Sequence, residues 1–240
     1  MLKTIGILGG MGPAATADLM LKIIEMTDAQ SDQEHIPMLI DSNTRIPDRT
    51  QAILHGGEDP VPEMLLSAKK LEAGGADFII IPCNTAHYFI GELEKEVSIK
   101  FLNMPVETAG LIKARGVKCA AVLATDGTCQ SGLYDRVLRA NGIEPIYPYP
   151  DQQALIMSVI YDYIKKGITD PSELPCSEMQ RIRDDLEDRG AEALLLACTE
   201  LPLAFRIMDL YDDSCVDPTE VLAAAAVKEA GATLRPGIRY

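Results

Sequence analysis

Two short segments of the sequence place a cysteine between an apolar run and several polar side chains. IIIPCNTAHY, residues 79–88, contains Cys83, and LLLACTELP, residues 194–202, contains Cys198. The polar residues that follow are Asn84, Thr85 and His87 in the first segment and Thr199 and Glu200 in the second. Each apolar run is typical of a buried strand. A helix that starts directly after it would lower the pKa of the thiol, because helix N-termini offer positive potential and unpaired N–H groups.

The two segments belong to an internal repeat. An offset of 115 residues carries Cys83 onto Cys198 and aligns LEAGGADFIIIPC with LEDRGAEALLLAC. The same offset carries Gly12 onto Gly127, so that the turn LGGMGP falls on the turn LATDGT. One offset that aligns two separate motifs predicts two similar lobes, each with a cysteine at the end of a strand.

Short apolar runs alternate with stretches of helical spacing along the whole chain. The runs that we interpret as strands are KTIGILG, IPMLIDS, ADFIIIP, IKFLNMP, KCAAVLAT, IEPIYP, EALLLAC and DSCVD, and a helix is expected from about Ala86. This alternation predicts an α/β fold with a parallel sheet flanked by helices in each lobe. We place the first lobe at 1–105 and the second at 106–216, and expect a C-terminal helix within 217–240 to return to the first lobe.

The repeat gives the two cysteines a chemical purpose. Ligands of open α/β sheets bind at the carboxyl ends of the strands, so two pseudosymmetric lobes that face each other would bring both thiols into one active-site cleft. There, one thiolate can remove a proton from a tetrahedral carbon while the other thiol protonates the opposite face, which inverts the stereocentre. Each sulfur must approach that carbon within roughly 3–3.5 Å, so the pair cannot form a disulfide.

Composition limits the class of protein. The 240 residues include 47% hydrophobic and 24% charged residues, which is ordinary for a globular protein. The formal net charge of −14 disfavours nucleic acids and anionic membranes as partners. Since no apolar run approaches the roughly 18 residues that span a bilayer, we expect a cytoplasmic protein. Six widely spaced cysteines in such a chain favour reduced thiols.

The motifs PCNTAH and ACTELP, together with IGILGGMGP and IPDRTQAI (residues 46–53), resemble those of the cofactor-independent aspartate/glutamate racemases. The resemblance covers essentially the whole chain and is strongest to the aspartate racemase and broad-specificity amino-acid racemase branch. It implies a two-base mechanism without pyridoxal phosphate, with Cys83 and Cys198 as the acid/base residues. It also implies that Arg49 holds a substrate carboxylate, that Lys165 lies at the same cleft, and that the protein is a homodimer.

Other residues are expected to support a carbanion formed next to a carboxylate, which requires preorganised donors. The first loop, Gly9 to Pro13, contributes Met11 as a candidate substrate-binding residue, and the residues after the cysteines contribute Asn84, Thr85 and Thr199. Glu200 is expected either to cap the following helix or to hydrogen-bond within the site. His87 lies one helical turn after Cys83, where it can orient the loop or influence the thiol.

Two alternatives from other classes stay open at the level of sequence. The GGMGPAA loop fits the G-x-G-x-x-A fingerprint of NAD(P)-linked oxidoreductases, with Asp41 as a candidate ribose ligand. A two-lobed amino-acid binding module without catalysis would need the cleft but not the thiols. A zinc site formed by Cys83, His87 and Cys198 lacks the usual ligand spacing, so we expect no metal. His35 and His55 are placed in or beside loops and are given no role.

Overall fold

The first sheet is built from four parallel strands, and its two central strands are fully buried. In the computed structural model, which describes residues 1–238, the strands are β1 (Ile5–Gly9), β2 (Met38–Ser42), β3 (Phe78–Ile80) and β4 (Lys100–Phe101). Their order across the sheet is β2-β1-β3-β4, and all three pairings are parallel. β1 and β3 therefore occupy the centre of the sheet, where every residue of both strands is buried.

The second sheet repeats this arrangement. Its strands are β5 (Cys119–Ala124), β6 (Glu144–Ile146), β7 (Ala193–Ala197) and β8 (Cys215–Val216). The order is β6-β5-β7-β8, again with three parallel pairings. The prediction of an α/β fold with two parallel sheets is confirmed.

The helices lie between the strands in sequence. Those that precede the second sheet are α1 (Pro13–Met26), α2 (Arg49–His55), α3 (Val61–Ala73), α4 (Ile90–Leu93) and α5 (Met104–Ala114). Those that follow β5 are α6 (Asp126–Gln130), α7 (Leu133–Ala140), α8 (Pro150–Ser158), α9 (Cys176–Asp188), α10 (Leu201–Ile207) and α11 (Pro218–Glu229). No helix within residues 1–238 is both long enough and apolar enough to cross a bilayer.

The 115-residue offset holds for elements as well as for motifs. It carries α3, which begins at residue 61, onto α9, which begins at 176, and it carries β4 at 100–101 onto β8 at 215–216. It also superimposes a hydrogen bond between strands: Asp77 N–H donates to the carbonyl of Thr4, and Glu192 N–H donates to that of Cys119. The repeat is therefore a duplication of local backbone structure and not only of sequence.

The chain divides into two units. The first consists of Met1–Glu107 together with the segment that begins at Thr219, and the second is Thr108–Pro218. In the first unit α11 packs against the sheet, where Leu222, Ala223 and Val227 join an apolar cluster with side chains of β1 and β3. Glu229, in the last turn of α11, accepts hydrogen bonds from Lys3 and Lys100, which adds an ionic contact beside β4.

The local structure at α2 and after β3 differs in detail from the expectation. Arg49 and His55 are the first and last residues of α2, so His55 lies beside the loop that begins at Gly56. This seven-residue helix is too short for a periodic signal, and its signs are local: the Asp48 side chain accepts from Gln51 N–H, and Gly56 ends the helix with a positive φ of 63°. The helix expected from about Ala86 is instead a 3-10 helix, Thr85–Phe89, followed by the short α4.

His87 fixes the segment that follows β3. Its ring is buried, with Nδ1 2.8 Å from the carbonyl oxygen of Cys83, and Met104 N–H donates to Nε2 at 3.1 Å. Because Nε2 accepts a hydrogen bond, the ring proton lies on Nδ1, which donates to Cys83. The neutral imidazole thus joins the cysteine loop to the start of α5. Burial lowers the pKa of His87 from 6.5 to about 4, although its backbone hydrogen bonds oppose the shift.

We predict a pH-dependent contribution of His87 to stability. Since the folded-state pKa lies below the unfolded value, the contribution is complete above about pH 6.5 and declines as the pH falls to about 4, by about 3 kcal/mol in total. Urea unfolding at several pH values should show this decline in the parent protein. It should be smaller by about this amount in His87→Gln, where only carboxylates such as Glu200 still contribute, and retained in His55→Gln, which changes an exposed histidine. Equal slopes in the parent and in His87→Gln would contradict the interpretation.

Candidate active site

Cys83 lies just beyond the central strand β3. Its N–H donates to the carbonyl of Ile81 at 2.8 Å, which turns the chain sharply after the strand. The side chain is 6% exposed and borders an apolar cluster that includes Leu8, Met11 and Ala86. Asn84 and Thr85, the candidate substrate-binding residues that follow, are also buried. The first unit thus holds a thiol at the carboxyl end of its sheet, in apolar surroundings with polar neighbours.

Arg49 connects two loops at this end of the first sheet. Its Nη1 donates to the carbonyl of Pro47 at 3.0 Å, and Nη2 donates to the carbonyl of Met11 at 3.4 Å. Met11 itself is buried, with its side chain in the same apolar cluster as Cys83. The structure therefore brings Arg49, Met11 and Cys83 to one end of the sheet. The guanidinium supports the first loop through its backbone carbonyls.

The glycines of the first loop have structural reasons of their own. Gly10 has a positive φ of 94°, and a Cβ there would lie 2.4 Å from the backbone of Asn43. A Cβ on Gly9 would lie 2.4 Å from Cγ2 of Thr16, whose hydroxyl accepts from Gly10 N–H at 2.9 Å. Asp41, the residue proposed for a ribose, lies within β2 with Lys70 Nζ 3.6 Å from its carboxylate. Close packing accounts for this loop without a dinucleotide.

Cys198 follows the central strand of the second sheet and has a different environment. It is 7% exposed, and its Sγ donates to Oε2 of Glu200 at 3.0 Å. Thr199 Oγ1 donates to the same carboxylate oxygen at 3.0 Å. Of the two roles expected for Glu200, hydrogen bonding within the site is the one observed, since its side chain forms no cap to α10.

Lys165 completes this group. Its Nζ donates to Oε1 of Glu200 at 2.7 Å and lies 5.6 Å from the centre of the Tyr161 ring. The backbone that positions Lys165 is irregular, because α8 continues into a π-helix, Val159–Tyr163, and then into a short 3-10 helix, Ile164–Lys166. Single π-helical turns occur often at functional sites. The family resemblance pointed to Lys165, but neither Tyr161 nor the direct contact with Glu200 was foreseen.

The protonation of this group differs from the expectation. Burial raises the pKa of the Cys198 thiol well above its usual value, and the charge of Glu200 raises it further, while Lys165 acts in the opposite direction. Burial alone would also raise the pKa of Glu200, but Lys165 and the hydrogen bonds from Cys198 and Thr199 hold it below its ordinary value. The helix that begins at Leu201 does not produce a low-pKa thiol. The resting pair is a neutral thiol beside an ionised carboxylate.

The two cysteine sites are therefore unequal, although the repeat makes their backbones alike. The offset places Thr85 opposite Glu200 and Asn84 opposite Thr199, so the carboxylate has a neutral counterpart. The second site also lacks a histidine equivalent to His87, since Pro202 occupies that position. Both ring nitrogens of His87 bond to the backbone, so in this arrangement it orients the loop after Cys83 rather than accepting the proton of the thiol.

Two of the remaining cysteines share the apolar cluster of Cys198: Cys215 belongs to it, and Cys176 packs against it. All six thiols are free, and burial raises the pKa of Cys129 to about 12. The Cys176 thiol donates to the carbonyl of Pro171 at 3.4 Å, and Cys176 is the first residue of α9. Within residues 1–238, no three His, Cys, Asp or Glu side chains form a group that could hold a metal ion.

Known proteins resemble this chain in both sequence and fold. Residues 8–226 match the family described as Asp/Glu/hydantoin racemase. A broad-specificity amino-acid racemase from Bacillus subtilis is 32% identical over 204 residues, which span 82% of this chain and 85% of that protein. The resemblance inferred from the cysteine motifs is thereby confirmed.

Solved structures lead to the same family. An aspartate racemase from Picrophilus torridus superposes with a TM-score of 0.84 and 35% identity, covering 97% of this chain and 96% of that one. A glutamate racemase from Francisella tularensis, in complex with D-glutamate, superposes with a TM-score of 0.65 over 94% of this chain and 80% of its own, and its 16% identity supports the fold alone. The chain belongs to the Asp/Glu/hydantoin racemase family of isomerases.

Proposed function

We propose that this protein racemises an acidic amino acid, aspartate or glutamate, without a cofactor, and that Cys83 and Cys198 are its two catalytic bases. The observation that carries the proposal is the pair of buried thiols at equivalent ends of duplicated central strands. Each is only slightly exposed, at 6% and 7%, and neither is engaged in a disulfide. In a family of isomerases, such a pair of thiols can act as the two acid/base groups, because inversion needs one base on each face of Cα.

The proposed reaction conserves protons within the pair. In one direction the thiolate of Cys83 removes the Cα proton, and the thiol of Cys198 then donates its proton to the opposite face. The enzyme is left with Cys83 as the thiol and Cys198 as the thiolate, which is the form that carries out the reverse reaction. Two-base inversion requires that both sulfurs reach the same carbon, so a single substrate must be held with its two faces toward different cysteines.

Substrate charge is the second part of the proposal. In a protein of net charge −14, an amino acid with two carboxylates needs local cations. Arg49 offers a planar fork that suits a carboxylate, and Lys165 offers a compact charge. The Picrophilus relative is named an aspartate racemase, and the Bacillus relative is named for broad specificity. The position of Arg49, which contacts Met11 at the same end of the sheet as Cys83, favours acidic substrates. We also propose that the protein forms the homodimer that the resemblance implies.

Incorporation of solvent deuterium tests the reaction. We expect the purified protein in D₂O, with no added cofactor, to convert L-aspartate or L-glutamate into the D enantiomer carrying deuterium at Cα. The label arises because the donating thiol has exchanged its proton with solvent. Chiral chromatography with mass spectrometry over all common amino acids measures both the label and the specificity. If no amino acid exchanges or inverts, the proposal is wrong.

Substitution of each cysteine tests the two-base assignment. Cys83→Ala and Cys198→Ala should each lower the rate of racemisation by about a hundredfold or more, since a positioned acid/base group contributes about 10²–10⁴. Each variant should retain at most Cα exchange with one enantiomer, because one face keeps its base. Cys176→Ala is the matched control and should retain full activity. Full activity in either of the first two variants would refute the assignment.

Arg49→Lys tests carboxylate binding. Lysine keeps the charge but loses the fork, so we expect KM for the acidic substrate to rise by about tenfold or more, which corresponds to about 1.5 kcal/mol for a charged hydrogen bond. Arg45→Lys, at a largely exposed neighbouring arginine, is the control and should leave KM unchanged. Steady-state kinetics in both directions gives the comparison. An unchanged KM for Arg49→Lys would remove this residue from the proposed binding site.

A further inference from the structure

One carboxylate makes the two halves of this duplicated protein chemically different. Glu200 is two residues after Cys198, and the equivalent residue after Cys83 is Thr85, which carries no charge. The Glu200 side chain is only 12% exposed, although an ionised carboxylate prefers water. A buried charge at one of two positions that the repeat makes equivalent in backbone requires an explanation.

We propose that Glu200 is a positioning residue that holds a proton on Cys198 in the resting enzyme, so that Cys198 enters the cycle as the proton donor and Cys83 as the base. The inference rests on the proposed two-base function. It assigns the order of the two thiols, which the repeat alone leaves equal.

The hydrogen bonds around Glu200 support this role. An ionised carboxylate has no proton to donate, so the 3.0 Å contact with Cys198 is formed by an S–H group. Thr199 donates to the same oxygen, and Lys165 donates to the other oxygen at 2.7 Å. These two donors keep Glu200 ionised and fix the orientation of its carboxylate. The acceptor is thus held in place for as long as Cys198 carries its proton.

The charges near the thiol act in opposite directions. Burial is the largest cause of the raised pKa of Cys198, the charge of Glu200 adds to it, and Lys165 partly offsets both. Removing the carboxylate should therefore make the thiol ionise more easily, and removing the ammonium should make it ionise less easily. Opposite shifts from two neighbouring residues are a specific signature. Loosened packing would affect both variants in the same direction.

The arrangement has a consequence for the cycle. When Cys198 has given its proton away, its thiolate lies beside the Glu200 carboxylate, and the two negative charges repel each other. The form with the thiolate at Cys83 therefore has the lower energy. The enzyme returns to that form when Cys83 releases its proton to solvent and Cys198 takes one up from solvent, or when it inverts one molecule of the opposite enantiomer. The proton shared by the two thiols therefore lies preferentially on Cys198, although racemisation itself favours neither enantiomer.

Alkylation of the individual thiols tests the proposal without a substrate. Iodoacetamide labelling as a function of pH, resolved by peptide mass spectrometry, gives a midpoint for each cysteine, and the similar exposure of Cys83 and Cys198 makes the two comparable. In Glu200→Gln we expect the Cys198 midpoint to move by about one pH unit or more to lower pH. In Lys165→Met it should move to higher pH. Glu178→Gln, at an exposed carboxylate of α9, should leave it unchanged.

Cys83 is the internal control in the same samples. Its midpoint should stay constant in all three variants, because the substitutions lie beside the other thiol. An unchanged Cys198 midpoint in Glu200→Gln, or an equal shift at Cys83, would overturn the proposal. If Glu200→Gln fails to fold, the infrared S–H stretch of the parent protein decides. In spectra recorded at acidic pH, so that both sulfurs carry a proton, the band that disappears in Cys198→Ala should lie at lower frequency than the band that disappears in Cys83→Ala, and the reverse order would refute the proposal.

Kinetics separates this inference from the proposed function. If the protein racemises amino acids, the basic limb of the pH profile of kcat/KM should move to lower pH in Glu200→Gln while the acidic limb stays in place. The substrate amino group titrates equally in every variant, so only the difference between variants matters. Racemisation with an unmoved basic limb contradicts the role of Glu200 alone. Absence of racemisation together with the expected alkylation shifts contradicts the proposed function alone.

Discussion

The constraint on which the rest of the structure depends is the burial of two central parallel strands, β3 and β7. The chain that follows each of them contains a cysteine, Cys83 after β3 and Cys198 after β7. β3 and β7 are covered on both faces, so their residues are apolar up to the last position. The first polar groups can appear only where the strand ends, and there the backbone N–H and carbonyl groups need new partners. His87 supplies one at Cys83, and the Cys198 carbonyl accepts from Leu201 N–H at 2.9 Å. The thiols are placed by these requirements of the backbone.

The sequence alone was enough for the fold and for the equivalence of the two cysteines, because both are expressed locally. A strand of five apolar residues and a repeat offset can be read without knowledge of distant contacts. The group around Glu200 cannot, since Lys165 lies 35 residues earlier and reaches the carboxylate through an irregular π-helical turn. The bond from Met104 to His87 also joins residues that are 17 apart, across β4. No periodic pattern in the sequence encodes such contacts, so the group around Glu200 becomes evident only in the three-dimensional structure.

The expectation of a low-pKa thiol failed for Cys198 because two effects of opposite sign compete. A helix N-terminus stabilises a nearby negative charge by about 0.3–1 kcal/mol at exposed sites. Desolvation of a fully buried group shifts a pKa by up to several units, which is a larger free energy. Here the neighbouring carboxylate adds to the effect of desolvation. Motif position therefore indicated where the thiol lies but not in which state it rests.

An uneven proton balance suits the proposed chemistry better than strict symmetry. A two-base inverter works only when the two thiols share a single proton, because two thiols cannot abstract and two thiolates cannot donate. Equal and independent thiols would spend much of their time in one of these inactive states. A fixed carboxylate beside one thiol separates the two ionisations, which widens the pH range over which one proton is held. On this argument, Glu200 departs from the repeat because the reaction needs the halves to differ in protonation while they remain alike in geometry.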